Sequence, residues 1–507
     1  MNWTKYNIYV LAAILISFSF VLSELQITPG IKNPHVDESQ YFAYAYNLHR
    51  NGVFSDDRTK AAVKPDALRT PAYPAVLAVM MKLFDVQQDL TCYLYDRPPC
   101  LEIHKTLKRV NVPFFLTLVC VTFLIIHAII QNKGVAFACA TWVAVGFSGY
   151  VDRYLTEILA SLLLLIHSYF LYRLAQKPSH WPTGLAAGCS LALLVLTRAV
   201  FFYWAVMLTS GISVILLGRI LRSSFSQATV FNKATIIRPL IVLLISTWLL
   251  PGLWMTRNYV STGSPVIRAG GGSVVLGVRA EYGKISWKEY LAGFAVFTPG
   301  VGTIVMSLFP PAYVARFDTN NPDGFEGPVR KMAYALEFPE LWRKTTGRGA
   351  NPLSSEFRMG HVGTRLPSVG HLTEGALKKA AIETMISDWY KQAALVPFFA
   401  YRGAFFYFSN SHPDQLAWRI VFGFLSSSGF LLFVFLLVVL IRSFSARNWP
   451  MIVLFAPTVY SFAFHAVITH YSPRYSTPLV PVLLIAGGWV AAGLLKRFRR
   501  KAGFDPA

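Results

Sequence analysis

Pro34-His35-Val36-Asp37-Glu38-Ser39-Gln40-Tyr41-Phe42-Ala43-Tyr44-Ala45-Tyr46-Asn47-Leu48-His49-Arg50-Asn51-Gly52-Val53-Phe54 follows directly on the first apolar run of the chain. That placement puts the acidic pair Asp37–Glu38 just beyond a membrane surface. Asp37 suits a helix N-cap, and Gln40 three residues later completes a capping-box-like pair. Tyr41, Tyr44, Ala45 and Leu48 recur at helical spacing, and Gly52 stands where a helix stops. Two carboxylates at a helix N-terminus beside a bilayer point to chemistry. The competing reading is that Asp37 only caps a surface helix, and the rest of the chain has to decide between them.

Outward from this stretch the composition is that of a membrane protein. Hydrophobic residues make up 54% of the 507 positions and charged residues only 14%, well off the soluble balance. Several runs reach the roughly 20 apolar residues that cross about 30 Å of hydrocarbon. The net charge of +22 is placed for membrane orientation rather than for nucleic acid. Basic residues gather beside apolar runs, as in Arg219–Arg222 and Lys496–Lys501, the pattern of cytoplasmic loops. No zinc-finger, Rossmann or P-loop signature is present. Cys120, Cys139 and Cys189 lie inside apolar runs as small hydrophobes. Cys92 and Cys100 bracket an external loop where a disulfide is plausible in an oxidising compartment.

Residues 1–22 carry one early lysine and then an apolar run. They read as an uncleaved first span with a cytoplasmic N-terminus, a cleaved signal peptide being the alternative. Residues 25–110 form a long first external loop, in which Leu68-Arg69-Thr70-Pro71-Ala72-Tyr73-Pro74 leads into a short apolar segment predicted to lie along the interface. Spans are predicted near 111–131, 134–150, 157–173, 183–197, 200–217 and 237–255, and again near 417–441, 450–467 and 476–495. The expected architecture is therefore an all-α polytopic bundle of about 10 transmembrane helices with external amphipathic helices and a small external subdomain. It divides into an N-terminal transmembrane module over 1–265, an external region over 266–412, and C-terminal spans with a basic cytoplasmic tail over 413–507. Within the external region, Tyr290–Pro310 is apolar but carries Pro299-Gly300 and Gly302, so it reads as a broken, interfacial or re-entrant segment. Asn320–Gly375 reads as a polar subdomain, and Lys378–Phe408 as one helix on or entering the membrane.

The order of features carries a resemblance. It comprises an external Asp-Glu opening a helix, Arg69-Thr70-Pro71-Ala72-Tyr73-Pro74, Thr156-Glu157 opening a span, Leu196-Thr197-Arg198, Pro251-Gly252-Leu253-Trp254-Met255-Thr256-Arg257-Asn258-Tyr259, and Pro473-Arg474-Tyr475 before the last span. Together these resemble the multispanning GT-C glycosyltransferases, above all the branch of protein O-mannosyltransferases and the lipid A aminoarabinose transferase. The likeness covers roughly residues 5–265 and 380–497 and leaves about 270–375 unmatched. It implies an enzyme that moves a sugar from a polyprenyl-phosphate donor to an acceptor hydroxyl on the external face, usually with inversion, and the basic loops fit a bacterial inner membrane. The acceptor would be a glycan, a lipid or a protein.

That chemistry accounts for the residue types. An acceptor hydroxyl must lose a proton, for which a carboxylate serves as general base, and a departing phosphate calls for the fixed charge and fork of arginine. The resemblance assigns Asp37 as the catalytic acid, with Glu38 tuning it or binding substrate. Arg69, Arg257 and Arg474 become candidate phosphate ligands, and Glu157 a substrate-binding or second acid. Asp152 and Arg153 read as a local pair, and Arg198 as internal glue near the external face. Neither a metal nor another cofactor is expected, because His35, His465 and His470 have no diagnostic spacing. The alternatives are a transporter or flippase of a polyprenyl-linked sugar, and a polymerase or ligase of lipid-linked glycans.

Overall fold

A computed structural model describes residues 36–57, 63–84, 106–223, 231–269, 272–299, 305–318, 374–408 and 416–501, with a few single positions near 9–17 and 321–326. Most of the expected first span, His35, the Cys92–Cys100 loop and nearly all of the expected polar subdomain lie outside the described residues.

Among the described residues the fold is all helical, with no strand. Seven segments among the described residues are long and apolar enough to cross a membrane: Thr106–Ile130, Glu157–Gln176, Val200–Gly218, Ile237–Thr262, Ile420–Ser445, Trp449–Ile468 and Pro473–Arg499. Two further predicted spans are helices that fall short of this length. Lys133–Phe147 has 15 residues and Trp181–Thr197 has 17, about 22 and 26 Å at 1.5 Å per residue.

We number the helices in chain order. The membrane-end pair α1 (Val36–Asn51) and α2 (Ala72–Leu83) pack on each other. The first bundle follows as α3 (Asn111–Ile130), α4 (Lys133–Phe147), α5 (Glu157–Gln176), α6 (Trp181–Thr197), α7 (Val200–Ser223) and α8 (Phe231–Thr262). An outer layer contains α9 (Gly272–Tyr282), α10 (Trp287–Val296), α11 (Pro311–Ala315), α12 (Glu374–Ser387) and α13 (Trp389–Ala404). The chain closes with α14 (Leu416–Ser445), α15 (Trp449–Ile468) and α16 (Val480–Lys501).

Helix α5 is the central post. Two thirds of its apolar window is buried, and it packs against α3, α6, α15 and α16. Its one buried histidine is satisfied on both nitrogens: His167 Nδ1 lies 2.9 Å from the Ala187 carbonyl, and Nε2 accepts from Trp204 Nε1 at 3.0 Å. Helices α6 and α8 approach closely because α6 offers glycine. A Cβ at Gly184 would collide with the Pro239 carbonyl, and one at Gly188 with the Ser246 side chain. In a bilayer, where apolar side chains gain little by leaving lipid, such close backbone packing is what holds helices together.

The outer layer has its own apolar core. Tyr282, Phe317, Phe325, Phe398 and Phe399 cluster there, and Tyr471 joins them from the segment before α16. The predicted single helix over Lys378–Phe408 is two helices, α12 and α13, broken at Asp388, whose backbone leaves helical geometry (φ −106°, ψ 32°). Helix α10 opens with a complete capping box between Ser286 and Glu289 and ends at Val296, just ahead of Pro299.

The chain direction fixes which end matters. Helices α3, α5 and α16 all start at the end where α1 lies. There Asn111 at the head of α3 donates to the carbonyls of Val151 and Arg153, and Glu157 opens α5. Two short 3-10 turns, Pro473–Tyr475 and Thr477–Leu479, lead into α16.

Candidate active site

Helix α1 is buried on more than one face, with Phe42, Ala43, Tyr44 and Ala45 all out of solvent. It ends at Gly52, whose φ of +64° is easily taken only by glycine. The capping pair predicted from sequence is replaced by something else. Asp37 lies inside the first helical turn, and its two carboxylate oxygens go to different arginines. Arg69 Nη2 donates to Oδ1 and Arg474 Nη1 to Oδ2, each at 2.7 Å. Gln40 does not reach back to the N-terminus. Its carbonyl oxygen accepts from Arg69 Nε at 2.6 Å, while its amide nitrogen reaches Asp56. Gln40 thereby aims the Arg69 fork at Asp37.

A buried carboxylate holds the far side. Glu157, at 0% exposure, accepts on Oε1 from Arg198 Nη2 at 2.7 Å and from Arg474 Nε. Thr156 makes no cap; its hydroxyl accepts from Arg198 Nε at 3.1 Å. The outcome is one chain of charge across five segments, running Arg69–Asp37–Arg474–Glu157–Arg198. Thr70 ties two of the sequence motifs together by donating to the Thr197 carbonyl at 2.9 Å.

These groups stand at a cavity of about 580 Å³. Asp37 is the one carboxylate among its described lining residues, facing Arg69, Arg198, Arg268, Lys378 and Arg474. Glu157 sits behind this wall. Arg268 is oriented by donating Nε to the Leu68 carbonyl at 2.9 Å, and His465 is stacked on Tyr475 with ring centroids 4.5 Å apart. The opposite side is apolar, with Val200, Tyr203, Phe464 and Ile468. Phe464 and Ile468 also line a second hollow of about 560 Å³ between α7, α14 and α15, whose other walls include Trp204, Met207, Leu440 and Phe444. From Ile452 to Ile468 this groove follows roughly 24 Å of α15, most of the hydrocarbon thickness.

Three predicted residues are placed elsewhere. Glu38, 2% exposed, does not line the cavity; it accepts from the Tyr154 backbone N–H at 3.1 Å and from Arg153 at 3.3 Å. Adjacent helical residues point about 100° apart, so Asp37 and Glu38 cannot share a face. Arg257 is also off the cavity. It donates to the backbone carbonyls of Asp66 (2.6 Å) and Phe54 (3.1 Å) and lies over the Trp254 ring. Asp152 does not pair with Arg153 but with Lys108, at 2.7 Å.

The loop that Arg257 grips is built on Asp66, which accepts from the Asp56 backbone N–H at 2.8 Å and from the Tyr44 hydroxyl. Burial, and then the nearby carboxylate, hold the Tyr44 phenol well above its usual value, so it stays a donor. No group of three histidine, cysteine or acidic side chains among the described residues is placed to hold a metal ion.

Sequence motifs foreshadowed Arg69 and Arg474 but not Arg268 or Lys378. Arg268 precedes the glycine run Gly270–Gly272 in the sequence. Lys378 carries no local signal.

Comparison with known proteins gives little. No family model matches the chain, and no curated protein does. Among solved structures, the archaeal oligosaccharyltransferase AglB from Archaeoglobus fulgidus, determined with an inhibitory peptide and a dolichol-phosphate, aligns over 99% of this chain with 12% identity and a TM-score of 0.46. The alignment takes in 52% of that structure, so this chain spans about half its length.

Proposed function

We propose that the chain is a GT-C-type membrane glycosyltransferase that moves a sugar from a polyprenyl-phosphate donor to an acceptor hydroxyl, with inversion, at the external face of a bacterial inner membrane. The observation that carries this reading is the position of Asp37. It is a carboxylate held between two arginines at the mouth of a cavity that has surplus positive charge on one side and an apolar groove on the other.

Each part has a task. The donor phosphate enters among Arg69, Arg474, Arg268 and Lys378, where forked guanidinium donors match its oxygens. The prenyl chain lies along the α7–α15 groove. The acceptor oxygen attacks the anomeric carbon from the face opposite the phosphate, and its proton passes to Asp37. The bond from the anomeric carbon to the phosphate oxygen breaks with its electron pair going to the phosphate.

Arg69 and Arg474 engage both oxygens of the Asp37 carboxylate. An arriving phosphate competes for these arginines and frees lone pairs on Asp37 to receive the proton, so donor binding arms the base. Glu157, itself held by Arg198, keeps Arg474 in place when Asp37 gives it up. Glu38 anchors α1 to the Arg153–Tyr154 turn and positions Asp37 without meeting substrate.

The test compares wild type with Asp37→Asn, both supplied with polyprenyl-phosphate sugars and a lysate of acceptors, scoring donor binding and product separately. The amide keeps the shape but takes no proton, so transfer is expected to fall about 10²- to 10⁴-fold with donor still bound. Equal turnover would remove Asp37 from the chemistry. Wild type that binds donor and never transfers, with acceptor present, would make the protein a carrier of lipid-linked sugar.

A further inference from the structure

At the end of the bundle away from Asp37 lies a larger cavity, of about 680 Å³, that the proposed reaction does not use. Its walls come from the turn between α3 and α4 and from the last turns of α14 and α16. One side is cationic: Arg442, Lys496, Arg497 and Arg499. Gln131 and Asn132 add polar edges. The other side is apolar, with Val438, Trp489 and Val490, and the Arg442 guanidinium lies 5.8 Å above the Trp489 ring.

Basic residues at helix ends beside a membrane are ordinary on two counts. They favour the negative ends of helix dipoles and they fix orientation. Neither count requires a hollow. No carboxylate stands among the lining residues, and none of the four cations forms an ion pair among the described residues. The cavity sits where three spanning segments end, Thr106–Ile130, Ile420–Ser445 and Pro473–Arg499, so it meets the headgroup layer. Its volume falls in the range of small-molecule sites. Its split lining suits a molecule with an anionic head and an acyl tail.

We propose that this cavity is a binding site for an anionic phospholipid, with the phosphate among Arg442, Lys496 and Arg497 and an acyl chain against Val438, Trp489 and Val490. Basic hollows between membrane helices at a headgroup surface take such lipids. The assignment stands apart from the sugar-transfer reading.

The experiment is native mass spectrometry of the full chain in neutral detergent, titrated with phosphatidylglycerol, with phosphatidylcholine of the same acyl chains, and with inorganic phosphate. Two variants with the same charge change are compared. Arg442→Gln/Lys496→Gln alters the cavity. Arg238→Gln/Arg447→Gln removes two exposed cations from the same end of the bundle, outside the lining. All four positions are exposed, so folding is expected to survive, and a melting curve checks it.

One saturable phosphatidylglycerol site is expected, with affinity about tenfold or more above phosphatidylcholine. It should be lost in the cavity variant and kept in the other. Equal binding of phosphatidylcholine, or equal loss in both variants, would reduce the site to general attraction between a basic surface and anionic lipid. Millimolar phosphate that displaces the lipid completely, with no added affinity from the acyl chains, would make the ligand free phosphate and overturn the lipid assignment.

Discussion

Two arginines at the segment between α15 and α16 are used in opposite ways. Arg474 is carried on that segment, faces the cavity and is bound to two carboxylates, Asp37 and Glu157. Arg279 reaches it from α9 in the outer layer. It donates to the carbonyls of Ala466 (3.0 Å) and Thr469 (3.1 Å) and to Gln392, over the Phe399 ring. Arg279 is fully buried, and burial pulls its pKa down to about 9. Its acceptors are neutral and internal, so nothing entering from outside can replace them. One acceptor of Arg474, Asp37, is an anion at the cavity wall, and another anion can take its place. Arg402 adds to the structural side by donating to the His470 carbonyl and to buried Glu326.

Removing each arginine in turn separates the two roles. Arg474→Gln is expected to cost transfer about 10²- to 10³-fold, the usual loss on deleting one charge-stabilising donor. Arg474→Lys should land between, since it keeps the charge and loses the fork. Arg279→Gln leaves buried carbonyls unpaired, each costing about 1–3 kcal/mol. It should lower Tm clearly while activity per folded molecule stays within a few-fold. Kinetics and melting curves on the three variants check this together. If Arg279→Gln abolished turnover without moving Tm, the division between holding and reacting arginines would fail.

Arg257 extends the test with a smaller effect. Its motif resembles that of a phosphate ligand, yet its donors are spent on the Asp66 and Phe54 carbonyls. Arg257→Gln should therefore cost about 1–3 kcal/mol of stability and leave donor affinity per folded molecule near wild type. A tenfold weaker donor affinity at unchanged Tm would return Arg257 to the site.

These cases mark where the sequence stops being legible. Asp37, Arg69, Glu157 and Arg474 stand out in the sequence through the resemblance, as do Glu38 and Arg257; hydropathy and charge add only that the alternation of predicted spans sends these positions to one face. What an arginine does once there depends on which acceptors lie within reach, and those come from distant segments. Phe54 and Asp66 absorb Arg257 from about two hundred residues away in the chain. Gln40 follows the same rule: its spacing from Asp37 suits a cap, and Arg69 outcompetes the helix end for its carbonyl oxygen. The number of spans was legible only in part. Apolar runs mark α4 and α6, but their 15 and 17 helical residues depend on where the turns at each end close.

The smallest effect tests the same principle on the acidic pair. Glu38 and Asp37 are neighbours in the chain, but their carboxylates have different partners. Glu38 accepts from a backbone N–H, that of Tyr154, and its ion pair with Arg153 is 3.3 Å long to a side chain about one third exposed. Solvent screens such a pair, which is worth about 0–1 kcal/mol. In Glu38→Gln the amide oxygen can still accept from Tyr154. The expected result is a Tm within a few degrees of wild type and transfer reduced less than about tenfold, far milder than Asp37→Asn. Glu38→Ala should do more, because Tyr154 N–H is then left buried without an acceptor and α1 loses its register against the turn that precedes α5. If Glu38→Gln instead matched Asp37→Asn in its loss of transfer with Tm unchanged, the two carboxylates would be acting as a reactive pair, and the separation of their faces on α1 would not describe the working site.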